Sequence, residues 1–124
     1  MKDGNPLMTI TLMGGDMQAQ GHAQALVNIF DLGANVQLAT DMARFYHAQV
    51  SNQLGLESDL YASVGQGLAG MGHRVFPVGD GSVGGFQSLL QMPAVPNGGT
   101  GAGRPHGIYR AGSDHRKDGQ AVGW

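Results

Sequence analysis

The stretch LMTITLMGGDM, residues 7–17, decides how the rest of the chain folds. In the middle of this stretch threonine alternates with apolar side chains, which predicts a strand over 7–13 with one buried face. Gly14 and Gly15 end the strand, and Asp16 is placed to cap a following helix. Two glycines between a buried strand and a helix leave backbone amides unobstructed, so this junction fits an oxyanion hole as well as a plain tight turn.

Outward from this junction, apolar residues at helical spacing predict helices over 17–32, 36–46 and 59–71. Apolar runs bounded by turn residues predict further strands over 49–56, 74–78, 83–92, 107–113 and 120–124. The helices come early and the strands late, an order typical of a layered α+β domain rather than a doubly wound sheet. Residues 1–124 therefore constitute a single domain, in which the Gly- and Pro-rich stretch 93–105 is a flexible loop.

The composition excludes several classes of function. The 124 residues carry a net charge of -2 and only 13% are charged, so no basic field is available to hold nucleic acid or an anionic membrane. The absence of cysteine excludes disulfides, thiolate metal sites and a cysteine nucleophile. No apolar run approaches the length of a membrane span and no signal segment is visible, so we expect no membrane partner and assign no compartment.

The histidines and a glycine-rich loop are further candidates for chemistry. The five histidines are His22, His47, His73, His106 and His115. No pair has the i,i+4 spacing of a helical metal site, so they fit capping or solvated positions, with a metal site assembled in three dimensions as the alternative. Gly99, Gly101 and Gly103 resemble half of a phosphate loop, but Arg104 and Pro105 follow where such a loop needs a helix. We therefore predict no metal and no cofactor.

The tripeptide Asp114, His115 and Arg116 places three polar side chains in a row. Catalytic groups need adjacency in space rather than in sequence, so this pattern is typical of a turn held by aspartate hydrogen bonds. An enzyme built on the histidines and Asp114 stays open as a hypothesis.

Two strings of spaced motifs resemble the gamma-glutamyltranspeptidase family. The first contains KDG at 2–4, MGGDMQ at 13–18, GH at 21–22, NIFDLG at 28–33 and DMARF at 41–45. The second is the tail AGSDHRKDGQAVGW at 111–124. The resemblance covers nearly the whole chain and is vaguest between residues 82 and 105.

This resemblance implies both a fold and a chemistry. Members of the family are N-terminal-nucleophile hydrolases with a four-layer αββα sandwich, in which a threonine exposed by self-cleavage attacks a gamma-glutamyl amide. The matching portion is the C-terminal part of the small subunit, so we expect helices packed on a largely antiparallel sheet as one part of that sandwich. By resemblance, Gly14 and Gly15 match the glycine pair associated with the oxyanion hole, and Asp16 is a candidate for substrate binding.

The family's nucleophilic threonine has no counterpart in this chain. The chain contains Thr9, Thr11, Thr40 and Thr100, none of them in the family's nucleophile motif. The resemblance therefore implies a C-terminal fragment of a gamma-glutamyltransferase or glutathione hydrolase, inactive alone, whose parent acts on gamma-glutamyl compounds. Its expected partners are the missing N-terminal part of the parent and further copies of itself. The homo-oligomer would form by packing of the uncovered sheet face, by edge pairing of strand 7–13 or by strand exchange. The alternative is a stand-alone, non-catalytic module that binds a small molecule or a protein, so whether the chain is an enzyme stays open.

Overall fold

In the part of the chain that the structure describes, the strands form two small three-stranded sheets and the helices pack on them. The computed structural model describes residues 1–92 and 107–122, so the loop expected at 93–105 lies outside the described residues. The elements are β1 (Met8–Met13), α1 (Gln18–Phe30), α2 (Val36–Asp41), β2 (Phe45–Ala48), β3 (Gln53–Glu57), α3 (Ser58–Gly70), β4 (Val75–Val78), β5 (Gly85–Met92) and β6 (Ile108–Ser113). A short 3₁₀ turn, Gly15–Met17, connects β1 to α1. The predicted α+β class is confirmed.

The first sheet is antiparallel and has the strand order β1-β5-β6. Its register pairs Leu12 with Phe86, so the even-numbered residues of β1 share one face with Phe86. Helix α1 packs on that face, where Leu12, Ala25 and Phe86 form a buried cluster with Met8 and Ile10 against it. The threonines of β1 lie on the opposite face and are exposed, as the alternation predicted.

The second sheet has the strand order β2-β3-β4. β2 and β3 are antiparallel, whereas β3 and β4 are parallel and are joined by α3, which packs on both strands. A second buried cluster of Ile29, Val36 and Ala39 joins α1 to α2. In the described part of the chain, no helix has the length and apolar character that crossing a membrane requires.

The prediction of a helix over 36–46 is wrong beyond Asp41. Helix α2 ends there, and residues 45–48 form β2 instead. The guanidinium of Arg116 donates hydrogen bonds to the carbonyl oxygens of Thr40, Asp41 and Met42 at 2.8, 2.7 and 3.0 Å. These carbonyls are the acceptors that a further helical turn would use, so a distant side chain ends the helix.

Three smaller expectations are also wrong. Residues 49–52 form a turn, and the strand predicted from 49 begins only at Gln53. Residues 120–122 are not in a strand, and residues 123–124 lie outside the described part of the chain. Asp16 does not cap α1, because the 3₁₀ turn precedes that helix and contains Asp16 itself.

Candidate functional site at the glycine junction

Gly14 and Gly15 lie between β1 and the 3₁₀ turn, where the sequence predicted a strand-to-helix junction. Gly15 has a φ of 55°, a conformation that favours glycine. The carbonyl oxygens of the two glycines accept hydrogen bonds from the amides of Met17 and Gln18. Neither glycine amide donates a hydrogen bond to any of the described residues, so two adjacent N–H groups are free at the start of a helical segment.

The turn formed by residues 79–84 packs against this junction. Gly84 has a φ of 105°, and a Cβ at this position would overlap the carbonyl oxygen of Met13. A Cβ on Gly14 would lie 3.0 Å from the carbonyl oxygen of Val83. Both approaches bring backbone against backbone, so the position of the turn sets the position of Gly14.

Four charged side chains are buried beside this turn, and we call them the ionic cluster: Arg44, Glu57, Asp114 and Arg116. Their side chains are between 0 and 6% exposed. Glu57, the last residue of β3, accepts hydrogen bonds from Arg44 Nη2 at 3.1 Å and from the Arg44 backbone amide at 2.8 Å. This carboxylate therefore holds both the side chain and the backbone of Arg44.

Asp114, which directly follows β6, brings the two arginines together. Arg44 Nη1 lies 3.1 Å from Asp114 Oδ2, an ion pair without the alignment of a hydrogen bond. Arg116 donates to Asp114 Oδ1 from Nη1 at 3.1 Å and from its backbone amide at 3.0 Å. Arg116 Nη2 also lies 3.7 Å from Glu57 Oε2. Two guanidinium groups and two carboxylates thus balance one another, which offsets the large cost of burying each charge alone.

The ionic cluster also holds the backbone of the neighbouring turn. Arg44 Nη2 donates to the carbonyl oxygen of Gly84 at 2.9 Å. The amide of Gly81 donates to Glu57 Oε1 at 2.9 Å. The middle and the end of this turn are therefore bonded to buried charges, and through the turn the cluster supports the backbone at Gly14.

Sequence reasoning missed most of this cluster. The turn at Asp114 was predicted, and its hydrogen bond from the Arg116 amide confirms it. No function was predicted for Arg44, Glu57 or the Arg116 side chain. One signal was present: in a chain with only 13% charged residues, Glu57 directly follows the apolar residues 54–56 of β3.

The other candidate residues are not brought together at this junction. Asp16 is exposed, and its side chain makes no hydrogen bond within the described residues. His106 lies outside the described residues, and the other four histidines lie on α1, on β2, after α3 and after β6. Across residues 1–92 and 107–122, no three His, Asp or Glu side chains are grouped to hold a metal ion.

Comparison with known proteins finds one matching sequence family and several solved structures with the same fold. The sequence model of the gamma-glutamyltranspeptidase family matches residues 1–124. Cephalosporin acylase from Bacillus halodurans is 30% identical with a TM-score of 0.82, and the match covers 100% of this chain and 21% of that chain. No curated protein sequence matches.

Two further solved structures share the fold. A mutant gamma-glutamyltranspeptidase from Helicobacter pylori is 19% identical with a TM-score of 0.77, over 94% of this chain and 57% of that chain. The transpeptidase CapD from Bacillus anthracis is 20% identical with a TM-score of 0.72, over 94% of this chain and 63% of that chain. This chain therefore spans less than two thirds of each of the three structures.

Proposed function

This chain belongs to the gamma-glutamyltranspeptidase family, and on that premise we propose that it supplies the oxyanion hole of an amide acyltransferase or hydrolase. In this proposal the amides of Gly14 and Gly15 bind the oxyanion, and the nucleophile comes from a part of the parent protein that precedes this segment. The chain is then a C-terminal segment of the catalytic machinery and does not turn over substrate alone.

The observation that carries the proposal is the pair of unbonded amides at Gly14 and Gly15. When a nucleophile adds to an amide carbonyl, its oxygen gains negative charge, and fixed N–H donors aimed at that position lower the barrier. Loss of one such donor costs about 10²–10³-fold in kcat. The start of the helical segment adds positive potential at the same place. The ionic cluster fixes the backbone, so the donors need little reorganisation when the charge develops.

The positions of the threonines in this chain favour a nucleophile supplied by another part of the parent protein. Thr9 and Thr11 lie within β1. Thr40 is buried in α2, and its hydroxyl donates to the carbonyl oxygen of Gln37 at 2.6 Å. An N-terminal-nucleophile mechanism needs a threonine hydroxyl beside its own free amine, which acts as the base. Thr100 lies outside the described residues and, like the others, is internal to this chain.

The acyl donor is either a gamma-glutamyl amide or the side-chain amide of a cephalosporin. Family membership favours the gamma-glutamyl amide. The higher identity to the Bacillus halodurans acylase, 30% against 19% for the Helicobacter pylori enzyme, favours the second candidate. Asp16, exposed beside the free amides, is the side chain we propose to contact the acyl group in either case.

The first test uses the chain as it is. We expect the purified protein to release no chromophore from gamma-glutamyl-p-nitroanilide and no acid from a cephalosporin amide, because the proposal assigns the nucleophile to another part of the parent protein. Turnover that disappears on substitution of Thr9 or Thr11 would show a nucleophile within this chain and contradict the proposal.

The second test asks whether the glycine amides act in catalysis. Residues 1–124 replace the matching segment of the Bacillus halodurans acylase, and Gly15→Ala is compared with Gly33→Ala in that chimera. Both glycines have positive φ, 55° and 73°, and a Cβ would meet nothing within 4 Å at either, so the local strain is matched. Alanine keeps the N–H but disfavours a φ of 55°, so we expect Gly15→Ala to turn the donor away from the oxyanion and to lower kcat by up to about 10²-fold, the cost of losing one donor, with KM little changed. We expect Gly33→Ala to leave kcat unchanged, because no oxyanion donor is proposed there. Equal kcat values in the two variants would contradict the oxyanion role, as would a chimera without turnover.

A further inference from the structure

A cleft opens beside the glycine junction, on the face of the first sheet that carries the threonines of β1. Its volume is about 410 Å³. The residues that line it include Thr11, Met13, Gln87, Lys117 and Asp118. Met13, which directly precedes Gly14, is 62% exposed. A molecule bound in this cleft would therefore lie next to the two unbonded amides.

The side chain of Lys117 packs on two glycines at this cleft. A Cβ on Gly85 would lie 2.5 Å from Lys117 Cγ, and a Cβ on Gly81 would lie 3.5 Å from Lys117 Cε. The Lys117 amide donates to the carbonyl oxygen of Asp114 at 3.3 Å, and the Lys117 carbonyl oxygen accepts from the amide of Gly119 at 2.7 Å. Contacts thus hold both the backbone and the aliphatic stem, which lowers the entropy cost of binding a ligand through the ammonium group.

The ammonium group of Lys117 is not neutralised within the described residues. The preceding residue, Arg116, belongs to the ionic cluster, in which two guanidinium groups balance two carboxylates. Lys117 Nζ forms no ion pair or hydrogen bond with any described residue, and neither does the carboxylate of Asp118. The cleft therefore combines an available cation with the exposed apolar side chain of Met13, which suits a ligand that carries a carboxylate on an apolar frame.

The cleft and Asp16 approach the glycine junction from different faces of the first sheet. Thr11 and Met13 lie on the face away from α1, whereas Asp16 belongs to the turn that leads into α1. When the glycine amides bind the carbonyl oxygen of an amide, its acyl chain and its leaving nitrogen extend from the carbonyl carbon in different directions. Because Asp16 is proposed to contact the acyl group, the cleft lies on the side of the leaving amine.

We propose that Lys117 is a specificity-determining residue that binds a carboxylate on the amine released by the reaction. The ligand class is an amine with a carboxylate close to its nitrogen, such as an amino acid or the nucleus of a cephalosporin. Met13 and the stem of Lys117 contact the frame of this amine, and the ammonium group binds its carboxylate. Asp118 lowers the positive potential of the cleft, so it weakens the binding of an anion. The inference rests on the proposed oxyanion role of Gly14 and Gly15.

The first test measures binding to the purified chain and needs no turnover. The ligand 5-amino-2-nitrobenzoate is an amine with a carboxylate, and p-nitroaniline is the same amine without it. We expect millimolar 5-amino-2-nitrobenzoate to shift the NMR signals of the Met13 methyl group and the Gly85 amide, and p-nitroaniline to shift them little. Lys117→Met should remove this difference, whereas Lys2→Met, at an exposed lysine of the N-terminal turn, should leave it. Equal shifts with the two amines in the unsubstituted chain would overturn the proposal.

The second test decides whether Lys117 contacts the leaving amine or the acyl group. The chimera described above is assayed with gamma-glutamyl-p-nitroanilide and with its 3-carboxy derivative, which have the same acyl group. We expect Lys117→Met to raise KM for the carboxylated anilide by about two- to fivefold, the range of an exposed ion pair, with kcat little changed. KM for the plain anilide should stay the same. An equal rise of KM for both anilides would place Lys117 at the acyl group and overturn the proposal.

Two further variants of the chimera separate the charge of Lys117 from its bulk. Lys117→Arg should keep the KM of the carboxylated anilide, and Asp118→Asn should lower it, because the cleft then becomes more positive. A KM that rises as much in Lys117→Arg as in Lys117→Met would overturn the proposal. The comparison of Gly15→Ala with Gly33→Ala tests the oxyanion role separately: a loss of kcat in Gly15→Ala together with anilide KM values that do not respond to Lys117→Met would overturn only the role of Lys117.

Discussion

The ionic cluster and the glycine junction lie close together but differ in whether their polar groups are hydrogen-bonded. Glu57 and Asp114 are fully buried, and their carboxylates accept hydrogen bonds from guanidinium groups and backbone amides. Gly14 and Gly15 keep their amides unbonded to the described residues, although their carbonyls are bonded. The difference shows that hydrogen-bonded buried charges can hold a backbone in place while neighbouring backbone donors stay unbonded.

Substitution of Arg44 is the strongest test of whether the ionic cluster stabilises the fold. Arg44→Met leaves two buried carboxylates with one remaining guanidinium, so we expect the free energy of unfolding to fall by about 3–5 kcal/mol. Arg74→Met is the control, because Arg74 is exposed and, among the described residues, donates only to the Ser51 carbonyl; it should cost less than about 0.5 kcal/mol. Both values come from urea denaturation. A loss below about 1 kcal/mol for Arg44→Met would show that the cluster does not hold the backbone.

Gly84→Ala tests the contact between the turn and the junction. The new Cβ would overlap the carbonyl oxygen of Met13 at a φ of 105°, so we expect a loss of about 3 kcal/mol. In Gly79→Ala the Cβ meets only Ser82 Oγ, at 3.8 Å, so stability should change by less than about 1 kcal/mol. Thermal unfolding of both variants measures the difference. Equal unfolding temperatures of the two variants would mean that the turn can move away from the junction without loss of stability.

Gln24→Ala tests the hydrogen bonds between the Gln24 side chain of α1 and the backbone of Phe45 on β2, the residue next to Arg44 in sequence. The variant loses two hydrogen bonds to the Phe45 backbone, of 2.8 and 3.0 Å, so we expect a loss of about 1–2 kcal/mol. Gln18→Ala, at an exposed position of the same helix, should change stability by less than about 0.5 kcal/mol. Chemical denaturation measures both, and faster amide exchange at Phe45 should accompany the first. No difference between the two variants would show that solvent replaces the glutamine without loss.

Gly15→Ala in the isolated chain tests the junction with the unbonded amides. It should change the free energy of unfolding least of the four substitutions. Its amide has no hydrogen bond to lose within the described residues, so only the backbone strain of alanine at positive φ remains, about 1 kcal/mol. Gly33→Ala should cost the same within about 0.5 kcal/mol, since its φ is also positive and its surroundings are also open. A clearly larger loss for Gly15→Ala in denaturation would reveal a structural role for the junction that its free amides do not suggest.

Local pattern predicted the parts of the molecule that local physics controls. The strand over 7–13, the helix after it and the glycine junction follow from alternation, helical spacing and the conformational freedom of glycine. Local chemistry also starts α2, since Asn35 is a residue type that favours helix caps and its Oδ1 accepts a hydrogen bond from the Leu38 amide at 2.8 Å. The oxyanion role of the two glycines stays a prediction, since no substrate geometry bears on it.

Tertiary structure decided what distant residues control. The helix predicted over 36–46 ends at Asp41 because the Arg116 side chain occupies its last carbonyls, and the residues beyond it form a strand held by Gln20 and Gln24 of α1. The ionic cluster joins residues that are 13 and 70 positions apart in sequence (57 − 44 and 114 − 44), so no local window contains it. Sequence by itself predicted the glycine junction, whereas only the folded chain reveals the four buried charges beside it, because their ion pairs join residues that lie far apart in sequence.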